Sequence, residues 1–343
     1  MKRLLPSIIL LLLQALTLRA ATDIPADSAR EVAIFITIGQ SNADGSAMFC
    51  PELDSIARQW FESPANTRRL KIWYRSTQVR NLEANALGER ARHVIDGAVT
   101  DVAPGWLDLW YRNENTSGRT AMNMIHGYGT YSTGLGTDCA QGRRGMEPQL
   151  GIDFASALPA TDLYFIKLGV SGSQISTWAN PDDDNNWNYF MANIYRPAIA
   201  DLTSRGLRPR LAGIWWMQGC ADSSRPADYY EASLRRLVDR LETELGFAEP
   251  PIYIGTIPGP GESPANPAGS TDHSPNVRAA QQAVAADHPN VTLVDTAPFP
   301  MQYEQAFGGT IHFSHAGVNA IGHHLAGLIL ANRPNWPELE IRE

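Results

Sequence analysis

Beyond its first twenty residues the sequence has no apolar run long enough to cross a bilayer, no internal repeat and no low-complexity tract long enough to serve as a linker. Cysteine is scarce: Cys50, Cys139 and Cys220 are the only three in 343 residues. They are scattered, and no CxxC or HExxH spacing occurs, so neither pattern of zinc site is indicated. Positive charge is scarce as well, with 28 Lys and Arg against 36 Asp and Glu and a net charge of −8. The dense basic runs are short, at Arg68–Arg69–Lys71 and Arg143–Arg144. An acidic chain without clustered Lys and Arg is a poor partner for nucleic acid, whose phosphates demand such clusters.

The first twenty residues, MKRLLPSIILLLLQALTLRA, have a basic start, an apolar centre and a small residue at Ala20. This is the anatomy of a secretory signal peptide; a transmembrane anchor is the weaker reading, because the apolar run is short and carries Pro6 and Gln14. The expectation is a secreted or periplasmic protein with no membrane attachment after cleavage. Cleavage would remove Lys2, Arg3 and Arg19 and no acid, taking the charge from −8 to −11. All three cysteines lie in the exported part, where disulfides persist. Their odd number leaves at least one thiol over, and the expected arrangement is a Cys50–Cys139 pair with Cys220 free. The sequons at Asn115 and Asn290 matter only in a host that glycosylates.

With 43% hydrophobic and 19% charged residues the chain can bury a large core. Apolar runs of strand length occur at Val32–Ile38, Leu70–Tyr74, Leu163–Val170, Leu211–Met217, Ile252–Ile257 and Val291–Val294. Their near-continuous apolar character suits a parallel sheet buried on both faces. Helical periodicity is clearest over Asp228–Leu245, Asn276–Asp287 and Ser314–Asn332, with Tyr230, Leu234, Leu237, Leu241 and Leu245 forming one stripe in the first. Strands alternating with such helices predict an α/β fold with a doubly wound sheet. Residues 21–343 read as one domain with an irregular, polar, Gly-rich and aromatic insertion at about 84–144.

Three predicted strands end in similar polar, glycine-containing stretches: GQSN from Gly39, SGSQIS from Ser171 and QGCADS from Gln218. In an open α/β sheet the ligand crevice lies beyond such carboxyl ends. Acyl transfer needs a nucleophilic hydroxyl, a base for its proton and donors aimed at the oxyanion. Ser41 supplies the hydroxyl. The donors are its own N–H, the Gly172 N–H and the Gln218 amide, and the base is His312, in the loop that delivers the last helix. Ser314 fits an N-cap for that helix, while His323 and His324 fall inside it. Blander readings stand beside these: a turn hydroxyl for Ser41, an inert small residue for Cys220, core packing for Trp215–Trp216 and a solvated loop for PDDDNN at Pro181–Asn186. Trp106, Trp110, Tyr111, Tyr128 and Tyr131 fit a sugar platform or buried loops equally. Ser171 in GVSGS misses the GxSxG elbow by one position.

The stretches GQSN, GMEPQLG (Gly145–Gly151), SGSQISTW (Ser171–Trp178), WWMQGCAD (Trp215–Asp222), VRAAQQAVA (Val277–Ala285) and IHFSHAGVNAIG (Ile311–Gly322) occur in the order found in the SGNH hydrolase superfamily. The chain resembles its carbohydrate-esterase branch, which includes acetylxylan esterases and the sialate O-acetylesterase domain. The resemblance implies a flavodoxin-like three-layer α/β/α sandwich and removal of O-acetyl groups from an acetylated oligo- or polysaccharide, without metal or cofactor. It also implies Ser41 as nucleophile, Gly172 and Gln218 as oxyanion donors beside the Ser41 amide, and His312 as base. Two positions depart from the pattern. The acid usual three residues before the histidine is Gly309 here, and the glutamate of the usual QGE is Cys220. Either Ser41 and His312 then work as a dyad, or the residue orienting His312 is Asp222 or Glu304, with Asp295 behind them, or a backbone carbonyl near Gly308–Thr310. A carbohydrate-binding protein that keeps the fold without turnover is the alternative, and a broad or lipase-like esterase is another, without an evident apolar lid.

Overall fold

Val32 to Ile38 is built of β-branched, aromatic and small apolar residues with one threonine, a composition that packs on both faces of a pleated strand. It forms the heart of β1, Arg30–Gly39, buried from Val32 onward. The computed structural model describes residues 30–45, 47–49, 59–60, 63–74, 92–95, 98–101, 105–109, 112–113, 131–132, 142–170, 172–180, 186–257, 274–302 and 311–340. Six further strands join β1 in the main sheet: β2 Leu70–Tyr74, β3 Gly105–Asp108, β4 Leu163–Gly169, β5 Leu207–Met217, β6 Ile252–Gly255 and β7 Val291–Val294. Their order is β7-β6-β5-β1-β4-β2-β3, parallel throughout except for β3, which runs antiparallel to β2. From β1 the chain builds one side of the sheet and then crosses to build the other, so β1 lies at the topological switch point.

The main helices are α1 Glu147–Ala157, α2 Arg196–Ser204, α3 Ala227–Glu244, α4 Pro275–Asp287 and α5 His315–Ala331. Helix α1 packs on α5 and α3 on α4, completing a flavodoxin-like three-layer α/β/α sandwich. The apolar stripe of α3 is buried as its period predicts, and the Ser314 hydroxyl caps α5 by accepting the Gly317 N–H at 3.2 Å. Helix α2 continues directly from a π-helical stretch, Phe190–Tyr195, and buries Ala198 and Leu202. Strand β3 corrects the reading of 84–144 as irregular throughout: Trp106 from this stretch packs edge-on against Trp73 and Tyr164, at 5.2 and 4.8 Å between ring centroids. Trp106 is therefore a packing residue at the sheet edge. The expected leader at 1–20, the Cys50–Cys139 pair, Ser171 and most of 84–144 lie outside the described residues. No described helix is long and apolar enough to cross a membrane.

One charged pair is buried between strand and helix in the core. Lys167, on β4 opposite Thr37 of β1, meets Glu147 at the start of α1 with Nζ 2.7 Å from Oε1, and both side chains are fully buried. Burial pushes the Glu147 carboxyl up and the Lys167 ammonium opposes it. Removing one partner strands the other charge, whereas replacing both by apolar groups removes the desolvation penalty with the attraction. Lys167→Met is expected to cost about 3–5 kcal/mol in urea unfolding, and the double variant Lys167→Met/Glu147→Leu to recover most of that loss. A double variant as unstable as the single one would mean that the pair is needed for more than charge balance.

Candidate active site

The three polar stretches that follow β1, β4 and β5 meet at one end of the sheet, because Gly39 lies in register with Gly169 on one side and Met217 on the other. The approach to Met217 is close. Gly39 has φ +141°, and a Cβ there would come within 2.2 Å of the Met217 carbonyl oxygen, so only glycine fits. The chain then turns over the end of β5, with the Gln40 N–H donating to that same carbonyl at 3.0 Å. Ser41 opens a single helical turn, Ser41–Asp44, and is 6% exposed.

The residues on either side of Ser41 reach in opposite directions. The Gln40 Oε1 accepts the N–H groups of Gly219 and Ala221 at 3.0 and 3.3 Å, which fixes the loop after β5. The Asn42 amide donates to the Ile311 carbonyl at 3.0 Å and accepts the Phe313 N–H at 3.2 Å, so it brackets His312. The structure thereby brings His312, 7% exposed, beside the Ser41 turn although 271 residues separate them. Gln40 and Asn42 carry no role in the sequence reading. Polar residues around a serine after a strand read as turn chemistry, and only the fold shows what they hold.

The loop after β4 is held by a buried network. The Gln218 Nε2 donates to the Ser173 carbonyl at 3.0 Å and to Asp222 Oδ2 at 2.6 Å, and its Oε1 accepts the Tyr230 hydroxyl at 2.9 Å. Asp222 Oδ2 also accepts the Ile175 N–H at 2.8 Å, and the Ser173 hydroxyl accepts the Trp178 indole at 3.0 Å. Rotating the Gln218 amide by half a turn would set its oxygen against two acceptors, so the network fixes its orientation. Gly172 stands inside this bracket, exposed and at φ +71°, a left-handed conformation that a side chain would strain.

Two sequence-based assignments change accordingly. Gln218 is fully buried and both its amide hydrogens are engaged within the protein, so it supports the Gly172 loop instead of facing an oxyanion. Asp222 does not orient His312: Oδ2 is bonded to Ile175 and Gln218, and Oδ1 has no hydrogen-bond partner among the described residues. Burial raises its carboxyl, with the Gln218 and Ile175 hydrogen bonds working the other way. Asp295 is exposed and accepts the N–H of Ala297, two residues on. Glu304 and Gly308–Thr310 lie outside the described residues. Cys220 is a free thiol, and burial pushes it up to about 11, which leaves it protonated and unreactive at neutral pH. Trp215 and Trp216 are core residues, as expected.

Among the described residues no group of three or more His, Cys, Asp and Glu side chains is placed to hold a metal ion. A cavity of about 830 Å³ opens at the opposite, amino-terminal end of β6 and β7, lined in part by Glu242, Tyr253, His288 and Asn290. It shares none of the residues above. The Asn290 amide of the second sequon is engaged there, donating to Glu242 and the Pro250 carbonyl.

Residues 133–331 match the family described as carbohydrate esterase, sialic acid-specific acetylesterase. The match takes in the Gly172, Asp222 and His312 loops and leaves Ser41 on its amino-terminal side. Among curated proteins none matches this sequence. Solved structures of similar fold include a protein from Arabidopsis thaliana, at 16% identity and a TM-score of 0.50, with 88% of this chain and 98% of that one covered. A carbohydrate acetylesterase from Xanthomonas citri aligns at 16% identity and a TM-score of 0.46, over 88% of this chain and 55% of that one. NanS aligns at 14% identity and a TM-score of 0.47, over 90% of this chain and 98% of its own. At 16% identity and a TM-score of 0.50 the first of these speaks to the fold alone, whereas the family match covers more than half of the chain. The chain belongs to the sialic acid-specific acetylesterase family of carbohydrate esterases, and is a carbohydrate esterase.

Proposed function

We propose that this protein is an exported serine esterase that removes O-acetyl groups from an acetylated oligo- or polysaccharide. The observation that carries the mechanism is the convergence of the Ser41 turn, the Gly172 loop and the His312 segment at the switch point of the sheet. Ser41 Oγ attacks the acetyl carbonyl carbon as His312 takes its proton. The N–H groups of Ser41 and Gly172 hold the oxyanion, and glycine at 172 leaves its peptide open to a ligand. The bond from the acetyl carbon to the sugar oxygen then breaks as His312 returns the proton to that oxygen. Water attacks the acetyl-serine as His312 takes one of its protons, the bond from the acetyl carbon to Ser41 Oγ breaks as His312 passes that proton to Oγ, and acetate leaves. Export follows from the signal-like first twenty residues.

Acetate release from O-acetylated sialic acid, acetylated xylan and 4-nitrophenyl acetate tests the reading and ranks the substrates. Ser41→Ala and His312→Ala are each expected to lower kcat/KM by about 10³-fold or more, with labelling by a fluorophosphonate probe lost in the first. Labelling or release that persists in Ser41→Ala would place the nucleophile elsewhere.

Asp222 gives a second test, because both of its hydrogen bonds fall on one oxygen. Asp222→Asn can present its carbonyl oxygen to the same two donors and is expected to keep kcat within roughly threefold of the parent. Asp222→Ala leaves two buried donors unpaired and is expected to cost about 1–3 kcal/mol for each. The raised carboxyl makes ionised Asp222 a burden on the fold, relieved as pH falls through its raised pKa. The melting temperature of Asp222→Asn relative to the parent should therefore rise with pH. A loss of kcat in Asp222→Asn as large as in His312→Ala would restore Asp222 to the catalytic machinery.

A further inference from the structure

A side-chain amide carries a donor and an acceptor at the spacing of a peptide unit, so it can take the place of a neighbouring strand along a short piece of backbone. Asn42 does this to the segment that carries His312. Its Nδ2 donates to the carbonyl before His312 and its Oδ1 accepts the N–H after it. The other side of the segment is tied to residues 300–302. The His312 carbonyl accepts the Gln302 N–H at 2.9 Å, and the Ser314 N–H and hydroxyl both donate to the Pro300 carbonyl, at 2.9 and 3.0 Å. The segment is thus a ribbon clamped along both edges.

The clamp on the Asn42 side is also rigid with respect to Ser41. Asn42 is the next residue in the chain, and the turn that holds both is closed by the N–H groups of Ala43 and Asp44 on the Gln40 carbonyl, each at 2.8 Å. The N–H of Gly45 closes on the Ser41 carbonyl at 2.9 Å. The path from Ser41 to the His312 backbone therefore runs through one peptide and one carboxamide. Gln40, the mirror-image neighbour, makes no such bond to this segment and holds the 219–221 loop instead.

We infer that Asn42 is a positioning residue, setting the place of His312 relative to Ser41 and so the distance over which the proton of Ser41 is passed. The inference rests on the assignment of Ser41 and His312 as nucleophile and base. A change in that distance alters the proton transfer, and not the contacts that bind the sugar in the ground state, so its effect belongs in kcat. A shift of about 1 Å in a reacting group costs on the order of 10²-fold in rate.

The test is a double-mutant cycle of Asn42→Ala and His312→Ala, read as kcat and KM for 4-nitrophenyl acetate and acetylated xylan. In the parent background Asn42→Ala is expected to lower kcat roughly 30- to 100-fold and to move KM less than about threefold. In the His312→Ala background the same substitution is expected to cost less than about threefold, because what it positions is gone. Asn42→Asp, which keeps the acceptor for Phe313 and loses the donor to Ile311, is expected to fall between Asn42→Ala and the parent, and it replaces Asn42→Ala in the cycle should that variant not fold. Equal losses in the two backgrounds would show a general structural role and overturn the inference, as would a parent-like kcat in both Asn42 variants. Full activity in His312→Ala would remove the base assignment itself and the inference with it, and it is visible without any Asn42 variant.

Discussion

The close passage of Gly39 over the Met217 carbonyl is the constraint from which the site is built. At that point β1 and β5 approach until no side chain fits between them, and the peptide after Gly39 is bonded to the end of the neighbouring strand. Ser41 is consequently placed by the sheet and not by a loop of its own, two residues beyond a register that runs the length of the central strand. The rigidity matters because a nucleophile, a base and an oxyanion site must hold their mutual geometry to a fraction of an ångström for the positioning to contribute to rate. Gln40 and Asn42 then carry that rigidity outward, one to the loop after β5 and the other to the His312 segment. The third loop is reached at one remove, through Gln218 and Asp222.

Burial explains why these ties are polar and specific. The carboxyl ends of central strands leave backbone donors and acceptors pointing into a region the helices cover, and each unpaired one would cost about 1–3 kcal/mol. The side chains of Gln40, Asn42, Gln218 and Asp222 satisfy several such groups at once. The result is a set of loops tied to one another by shared hydrogen bonds. Asp222 is the exception to full satisfaction: its Oδ1 has no partner among the described residues, and burial pushes its carboxyl up.

Much of the fold was legible in the sequence, for reasons that also mark where reading stopped. Doubly buried strands such as Val32–Ile38 announce themselves by composition, and α3, α4 and α5 by a steady apolar stripe, so their bounds came within a residue or two. Composition starts β5 at Leu211, because Arg208, Pro209 and Arg210 interrupt the apolar run, although the strand begins at Leu207. Helix α1 is hard to read because it is short, has Gly151 at its middle, and buries a charged residue, Glu147, whose partner Lys167 is distant in sequence. Strand β3 pairs only at the edge, where a strand need not be continuously apolar. At the site, the three strand ends were recognisable as alike, yet the sequence could not say which polar side chains turn inward.

The distinction between the polar residues of this site rests on whether their hydrogen-bonding capacity is used up. Gln218, with both amide hydrogens and its carbonyl oxygen engaged, has nothing left with which to meet a changing charge. Asp222 is buried away from solvent and substrate alike. Groups that act on a substrate must keep some capacity for it and some opening toward it, which fits the residual exposure of Ser41 and His312 and the open side of Gly172. By that criterion the residues after β5 that read as oxyanion donor and orienting acid are scaffolding, and Gln40 and Asn42 after β1, which read as turn formers, tie the neighbouring loops to the Ser41 turn. The physics does not favour either kind in sequence, because a glutamine at a strand end is equally able to donate to a carbonyl of its own protein or to an oxyanion. What decides is the neighbour the fold supplies, here the Ser173 carbonyl and the Asp222 carboxylate, both of which reach Gln218 before a substrate can.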